Sequence, residues 1–340
     1  MEQAKAKKRQ FWLGISISLL CLVAIFFLID PSEIWTALKT ADYRFVLLSA
    51  SGIVSFMLVR AVRWRFMLNN DIPYARVFHI QSIGYMLSML LPFRLGDVAR
   101  AVLIGNVPPV TISRGLSTMV VERLLDMLFF VTLLPFTLAV VETLPAWMQT
   151  FSRFSGFIAL AAILVLIIAA NRRAWVLKIT TAVFNKIPFL DTATWTRRVD
   201  DLLAGLDTLT RPRDGFILVL LSILVWLPIL LAYYAGLRAV GLHPSAAMTG
   251  FTVAAAAFSV AAPSSPGQVG VFHAGVIAAL QLLGQPEVAA ASFAFGYHAL
   301  NMIIMVVLGL IGLVATGEAM GHVISSTQQF MSKKGDADDE

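Results

Sequence analysis

The chain has 340 residues, of which 58% are hydrophobic and 14% are charged, and its mean hydropathy is +0.80. A typical soluble domain has roughly 25% charged residues, so this composition excludes a soluble globular protein and indicates a polytopic membrane protein. The net charge of +6 does not indicate a nucleic-acid partner, because the basic residues flank apolar spans as they do in cytoplasmic loops. The single cysteine, Cys21, excludes an intramolecular disulfide and a metal site built from cysteines.

Six stretches are apolar enough to cross a bilayer, which takes about 20 residues. They cover residues 11–29, 45–62, 116–141, 154–170, 215–237 and 288–316. The first follows a basic tail and resembles a signal peptide, whose apolar part usually has roughly 7–15 residues. Because this stretch is longer and no cleavage site follows it, we expect a retained first span.

Two further apolar stretches, 77–107 and 246–283, are interrupted by hinges rich in proline and glycine. The hinge residues are Pro92 and Gly96 in the first stretch, and Pro263 and Pro266 in the second. A broken helix at membrane depth persists only where it lines a cavity or is buried in protein. A pair of broken segments in matching positions of two halves is typical of a transporter binding site.

Lysine and arginine residues predict the orientation, because cytoplasmic loops are rich in them. The N-terminal tail, the end of the second span and the connection 171–214 are the basic segments. The sides assigned to these segments agree along the chain only if each interrupted region returns to the side from which it enters. Each region would then be either a re-entrant hairpin or two full spans. The sequence thus predicts an all-α helical bundle with about eight membrane-embedded segments and an inverted repeat.

One transmembrane domain, 11–316, accounts for most of the chain. Its halves are about 11–170 and 215–316, joined by the cytoplasmic connection. Residues 1–10 and 317–340 are predicted to be cytoplasmic tails, and the polar segment 335–340 is expected to be disordered.

Charged side chains within spans cost about 2.5–3.5 kcal/mol each on insertion scales, so they indicate function. At the first hinge, Arg94, Asp97 and Arg100 carry net positive charge. Arginine forks bind phosphate in a bidentate manner, which makes this cluster a candidate substrate-binding site. The alternative is a loop anchor at the cytoplasmic surface.

A second cluster comprises Glu122, Arg123 and Asp126, and its two carboxylates share a helical face because they are four residues apart. It is either an ion-pair network that fixes bundle packing or a part of the transport path. Arg60 and Arg63, at the end of the second span, are interpreted first as interfacial anchors. The sharper hypothesis is that they recruit an anionic headgroup.

The second hinge carries no charge and offers backbone instead. Gly267 and Gly270, with Gln268 between them, are expected to expose amide groups that cradle an anion. His273 follows, either as a group that titrates near neutral pH or as a packing residue. The sequence predicts no catalytic residues, no metal site and no cofactor.

Four motifs together point to a known family. They are Arg63-Trp64-Arg65, Pro92-x-Arg94-x-Gly96-Asp97-x-x-Arg100, Glu122-Arg123-x-x-Asp126 and Pro263-x-Ser265-Pro266-Gly267-x-x-Gly270. In this order the chain resembles, over about 11–316, the flippase-type transmembrane domain of lysylphosphatidylglycerol synthases (multiple peptide resistance factors) and its stand-alone relatives. The resemblance implies translocation of lipids between leaflets, or a related role with lipid-linked intermediates.

The chain departs from that family at two positions. Gln268 stands where the family commonly has a second glycine, and His273 stands near the place of a glutamate. A carboxylate role at the second hinge is therefore not expected. No lysyl-transfer domain follows the last span, so we do not expect aminoacylation by this chain.

The sequence thus predicts a lipid transporter of the bacterial inner membrane, with both termini cytoplasmic. Its cargo would be an anionic or zwitterionic lipid or a lipid-linked intermediate, and its partners membrane lipids and a lipid-modifying enzyme. No G-x-x-x-x-G-K-[ST] motif occurs, so no ATP hydrolysis of its own is expected. The alternatives are a membrane-embedded enzyme that uses Asp97, Glu122 and Asp126 on a lipid phosphate or lipid-linked sugar, and a scaffold for a lipid-modifying enzyme.

Overall fold

The computed structural model describes residues 15–16, 18–91, 95–138, scattered positions between 154 and 169, and residues 171–187, 191–205, 210–260 and 265–336. Within these ranges the regular structure is helical and contains no strand. The helices are α1 (Ser18–Leu28), α2 (Pro31–Lys39), α3 (Tyr43–Met67), α4 (Tyr74–Leu90), α5 (Leu95–Gly105), α6 (Ile112–Leu138), α7 (Arg173–Phe184), α8 (Thr192–Gly205), α9 (Pro212–Ala239), α10 (Ala246–Ser259), α11 (Val271–Leu282), α12 (Glu287–Thr316) and α13 (Met320–Asp336).

Aspartate residues cap the N-termini of α2 and α3. The carboxylate of Asp30 accepts a hydrogen bond from the Ser32 amide at 2.8 Å, and Asp42 accepts one from the Arg44 amide at 3.0 Å. Aspartate is a favoured N-cap because it satisfies an amide that the helix leaves unpaired. The Asp30 cap lies where α1 turns by 81° into α2. A helix that lies along a membrane surface after a span needs such a bend.

Among the described residues, three helices are long and apolar enough to cross a membrane: α3, α9 and α12, with 25, 28 and 30 residues. A fourth span results if α1 and α2 are counted as one bent segment. These helices contain three of the predicted spans, and the all-α class is confirmed. Helix α6 has 27 residues but carries three charged side chains in its middle. The predicted span 154–170 lies mostly outside the described residues, and the count of about eight segments stays a prediction.

Both predicted interruptions separate short helices. The first lies between α4 and α5, which have 17 and 11 residues. The second lies between α10 and α11, with 14 and 12 residues, and ends in a 3₁₀ turn over Pro266–Gln268. All four helices are shorter than the roughly 20 residues of a full span. Within each pair the two helices pack against one another.

Small residues allow the long helices to approach closely. A methyl group on Gly52 of α3 would lie 2.6 Å from the carbonyl oxygen of Pro228 on α9. The Ser49 hydroxyl of α3 also donates to the Ala232 carbonyl of α9 at 2.8 Å. Because lipid is as apolar as the side chains, helices in membranes associate through such tight packing and through interhelical hydrogen bonds.

Residues 171–214, which the sequence predicts as a cytoplasmic connection, contain α7 and α8 in their described part. Arg173 of α7 donates to Asp200 of α8 at 2.7 Å. This hydrogen bond lowers the pKa of the Asp200 carboxyl below its usual value. Helix α8 packs on α6 and thereby ties the connection to the bundle.

The C-terminal segment is more ordered than the sequence suggests. Helix α13 packs on α5, with Val323 and Thr327 buried. The expectation of disorder from residue 335 is wrong for Gly335 and Asp336, which close α13; residues 337–340 lie outside the described part. The sequence does not reveal this helix because the segment has few apolar residues and the surface of α5 that buries it is distant in the chain.

Candidate functional site

Five buried side chains from three helices form a charge network inside the bundle. Arg60 and Arg63 belong to α3, Arg100 to α5, and Glu122 and Asp126 to α6. Each side chain belongs to a residue that is 6% exposed or less. Charged groups are tolerated at such depth when they pair with one another.

The two carboxylates of the charge network divide three guanidinium groups between them. Arg63 donates to Asp126 Oδ1 at 2.8 Å and to Glu122 Oε1 at 3.4 Å. Arg60 donates to Asp126 Oδ2 at 2.9 Å, and its Nε lies 3.5 Å from Glu122 Oε1. Arg100 donates to the other oxygen of Glu122, Oε2, at 3.0 Å. Glu122 therefore contacts all three arginines.

Local spacing explains how these side chains converge. Residues three or four apart on a helix share a face, which aligns the two arginines of α3 and the two carboxylates of α6. Arg100 enters from α5 across Gly84 of α4, where a methyl group would lie 2.1 Å from Arg100 Cγ. The glycine thus makes room for the third guanidinium.

The charge network has an excess of one positive charge, because three arginines face two carboxylates. The Nε groups of Arg63 and Arg100 have no hydrogen-bond partner among the described residues. A buried charge is costly unless it is paired and hydrogen-bonded. The excess charge and the unused donors therefore favour an anion, and guanidinium forks match the oxygens of phosphate or carboxylate.

Aromatic rings lie close to two arginines of the network, Arg60 and Arg100. The Arg100 guanidinium lies 4.2 Å from the ring centre of Trp64. Arg60 and Arg100 lie 5.7 and 5.8 Å from the ring centre of Tyr85. Such cation–π contacts are strongest in desolvated surroundings. Sequence reasoning missed Tyr85; the available signal was a tyrosine within an apolar stretch, whose polar tip needs a partner.

A second ion pair lies at the rim of the network. Arg123 of α6 donates to Asp97 of α5 at 2.8 Å, and their side chains are 44% and 29% exposed. The cluster predicted at the first hinge is thus divided, since Asp97 pairs with Arg123 while Arg100 pairs with Glu122. The two predicted clusters form one continuous arrangement between α5 and α6.

The interpretation of Arg60 and Arg63 as interfacial anchors is wrong. Their residues are 2% and 0% exposed, and both side chains point at the carboxylates of α6. Burial of these two arginines is tolerated because each of them lies close to both carboxylates. Recruitment of a headgroup by these arginines stays a prediction.

The second hinge adopts a backbone conformation that glycine favours. The φ angles of Gly267, Gln268 and Gly270 are +68°, +61° and +86°. The left-handed region is costly for residues with a Cβ atom, so Gln268 occupies a place that would suit glycine. Of the predicted site residues, Pro92, Arg94 and Pro263 lie outside the described residues.

The expectation that this hinge offers free amides is wrong at two of its positions. The Gln268 amide donates to the Ser265 carbonyl at 3.0 Å. The Gly270 amide donates to Nδ1 of His273 at 3.1 Å, which makes His273 a cap of α11. The sequence could not indicate these bonds, because they depend on how tightly the turn closes.

Two histidines hold the turn of the second hinge. The His298 side chain of α12 lies close to the Gly267 backbone. Its ring stacks on that of His273, with centroids 4.8 Å apart and planes within 5°. The sequence identifies His298 only as a polar tip that needs a partner, since its contact is formed by a distant helix.

Helix α4 joins the second hinge to the charge network. A methyl group on Gly267 would lie 3.2 Å from the carbonyl oxygen of Met89 on α4. Met89 follows Tyr85 by one helical turn, or about 6 Å of rise, and Tyr85 contacts the buried arginines. The second hinge therefore lies about one turn from the network. In the described ranges, no group of three or more histidine, cysteine or acidic residues could hold a metal ion.

Comparisons with known proteins agree on a membrane protein. The sequence model of the family described as "Lysylphosphatidylglycerol synthase TM region" matches residues 11–309. A "UPF0104 membrane protein" of Methanothermobacter thermautotrophicus is 27% identical over 121 residues, which are 35% of this chain and 36% of that protein. The chain thus aligns with about a third of that relative's length. No solved structure matches the chain.

Proposed function

Because the chain belongs to the family of lysylphosphatidylglycerol synthase transmembrane regions, which covers residues 11–309, we propose that it is a lipid transporter. It moves an anionic or zwitterionic lipid, or a lipid-linked intermediate, between the leaflets of a membrane. In the orientation predicted from loop charges, both termini face the cytoplasm of a bacterial inner membrane.

The observation that carries this proposal is the charge network with its excess positive charge. An ion-pair network that only fixed packing would be expected to balance its charges, since an unpaired buried charge is destabilising. Here Arg63 and Arg100 each retain an Nε donor that no described residue uses, and the adjacent helix α5 follows a break. A lipid phosphate supplies both the negative charge and the acceptor oxygens that these groups need.

In the proposed cycle, a lipid headgroup enters past the rim pair Arg123–Asp97 while its hydrocarbon chains stay in the bilayer. Its phosphate contacts Arg100, which exchanges Glu122 for the new anion. Arg60 and Arg63 continue to hold the two carboxylates in place. The second hinge serves as a pivot rather than as an anion cradle, because its Gln268 and Gly270 amides are already bonded.

We further propose the inverted repeat, and helix packing supports it. If the first half runs α2 to α6 and the second α8 to α12, α3 corresponds to α9 and pairs with it along its length. In the same correspondence, α4 packs on α12 as α10 packs on α6. Likewise, α2 packs on α12 as α8 packs on α6. Broken pairs at matching positions then place the site between the halves.

A transporter is favoured over an enzyme because of how the carboxylates are bound. Glu122 and Asp126 both accept hydrogen bonds from arginines. Nearby cations stabilise the ionised form and make a carboxylate a weaker base. Asp97 is likewise paired with Arg123. None of the three is presented as a free general base.

Reconstitution of the purified chain into vesicles tests the proposal. A fluorescent phosphatidylglycerol is placed in one leaflet, and its appearance in the other is followed with a membrane-impermeant quencher. A transporter moves the lipid unaltered and faster than protein-free vesicles do. A chemically altered lipid would instead support a membrane-embedded enzyme. If the lipid is neither moved nor altered and a partner protein co-purifies with the chain, the result would support a scaffold.

A further inference from the structure

An apolar cavity of about 160 Å³ lies between α2, α3, α9 and α12. It is opened by small residues on two facing helices, among them Gly236 and Ala239 of α9 and Ser292 and Gly296 of α12. Phe293, Tyr297 and Leu300 supply apolar walls. Tyr43 also lines the cavity and is 62% exposed, so the cavity reaches the surface of the bundle.

The cavity suits hydrocarbon rather than a polar ligand. Both of its serine hydroxyls are already bonded, Ser49 to the Ala232 carbonyl and Ser292 to the Val288 carbonyl, at 2.8 and 2.6 Å. An apolar cavity of roughly 150 Å³ stays dry and accepts small apolar molecules. A segment of hydrocarbon chain has the apolar chemistry that suits such a space.

Three cations are adjacent in sequence to residues that line the cavity. Lys39, Arg44 and Arg238 are chain neighbours of the lining residues Leu38, Tyr43 and Ala239. None of the three forms an ion pair with a carboxylate in the part of the chain that the structure describes.

The contacts that the structure gives two of these cations are with aromatic rings, and Lys39 lies 5.2 Å from the ring centre of Trp35. Arg238 contacts the ring of His243 and lies 5.3 Å from the ring centre of Phe45. The Asp42 carboxylate nearby is used as the N-cap of α3. An apolar cavity beside unpaired cations is complementary to an amphiphile with a negative headgroup.

We propose that this cavity binds one hydrocarbon chain of an anionic lipid, with the headgroup held at the mouth by Lys39, Arg44 and Arg238. The site is distinct from the charge network, because Ser49 and Arg60 are separated by eleven residues of α3, or about 16 Å of helix rise. In the predicted orientation it faces the outer leaflet. It goes beyond the proposed function, since a chain that translocates nothing could still hold a lipid here.

Photo-crosslinking with the full chain in nanodiscs tests the site. The probes are a phosphatidylglycerol and a phosphatidylcholine that carry a diazirine on one acyl chain, and a diazirine fatty acid. We expect crosslinks from the anionic probes on lining residues of α9 and α12. Crosslinking by phosphatidylglycerol or by the fatty acid supports the proposal and identifies which source of anionic chain is bound. Equal crosslinking by phosphatidylcholine contradicts it.

Gly296→Leu fills the cavity, since a Cβ there would meet only the flexible end of Leu38, at 2.8 Å. We expect it to lower crosslinking by about tenfold or more, which corresponds to about 1.4 kcal/mol of binding free energy. Gly321→Leu on α13 is the matched control, because a Cβ there meets nothing within 4 Å. Unchanged crosslinking in folded Gly296→Leu overturns the proposal, and Ser292→Leu replaces this variant if it does not fold.

Charge at the mouth is tested with the triple variant Lys39→Gln, Arg44→Gln and Arg238→Gln. We expect it to remove the preference for phosphatidylglycerol over phosphatidylcholine; a preference that survives contradicts the role of these cations. Crosslinking without lipid movement in the vesicle assay would support this binding site and contradict the proposed transport. Lipid movement without crosslinking would do the reverse.

Discussion

Glu122 is the residue through which the buried charges are connected. Its two oxygens face three guanidinium groups, whereas Asp126 faces two and Asp97 faces one. Removal of one partner from a buried ion pair leaves the other charge uncompensated, which costs far more than the loss of an exposed pair. The burial of each carboxylate therefore decides how much its ion pairs contribute to the free energy of unfolding.

Asp126→Asn and Asp97→Asn form a matched pair of variants. We expect Asp126→Asn to lower the free energy of unfolding by about 3–5 kcal/mol, because two buried arginines lose a counter-charge. Asp97→Asn should lower it by about 1 kcal/mol or less, since its pair with Arg123 is partly exposed. Thermal unfolding in detergent measures both. Equal losses for the two variants would contradict the burial argument.

Sequence reasoning recovered part of this chemistry. The four-residue spacing of Glu122 and Asp126 predicts their common face, and the cost of intramembrane charge marks the clusters as important. The partners could not be predicted, because Arg60 and Arg63 meet α6 only through tertiary packing. A basic residue at the end of a span has the same local signature whether it anchors in headgroups or turns inward.

The α4–α5 pair is the element that brings Arg100 to the charge network. A methyl group on Gly96 would lie 1.9 Å from the carbonyl oxygen of Gly84 and 2.6 Å from the amide nitrogen of Ser88. Both obstacles are backbone atoms, which cannot rotate away as a side chain does. Gly96 thus sets the distance between the two helices.

Gly96→Ala is expected to separate α4 from α5 and displace Arg100. Overpacking of this kind typically lowers the free energy of unfolding by about 1–3 kcal/mol. Because Arg100 loses its position, we expect a larger relative loss in the rate of lipid transport than in the melting temperature. Initial transport rates and melting temperatures are compared with those of Gly321→Ala, whose added methyl meets nothing within 4 Å. Wild-type transport by Gly96→Ala would contradict this role for the glycine.

At the scale of elements, the interruptions were predictable and their contacts were not. Proline and glycine within apolar stretches mark breaks on local grounds. The capping of α11 by His273 depends on the closure of the turn, and the stacking of His298 on His273 depends on a helix far along the chain. For the same reason α13 escaped prediction, because α5 supplies the surface that buries it.

The whole molecule is proposed to consist of two halves inserted in opposite directions. The loop between α3 and α4 and the loop between α9 and α10 would then be equivalent by pseudo-symmetry but lie on opposite faces. Asn70 and His243 are exposed positions in these two loops.

Cysteine labelling tests this topology. In a Cys21→Ser background, Asn70→Cys should react with a membrane-impermeant thiol reagent only from the cytoplasmic side, and His243→Cys only from the outer side, as loop charges predict. Intact cells expose only the outer face of the membrane to the reagent, whereas opened cells also expose the cytoplasmic face. Labelling of both positions from one side would rule out the inverted repeat.

The central claim is that a lipid phosphate is recognised by the buried arginines, and the rate of phosphatidylglycerol movement with Arg100→Lys tests it most directly. Lysine keeps the charge but loses the bidentate fork, so we expect transport to fall by about tenfold, equivalent to about 1.4 kcal/mol. The control is Arg76→Lys on α4, because Arg76 donates to the Thr316 carbonyl and lies outside the charge network. Wild-type vesicles that move lipid no faster than protein-free vesicles, or folded Arg100→Lys that matches the wild-type rate, would contradict the account.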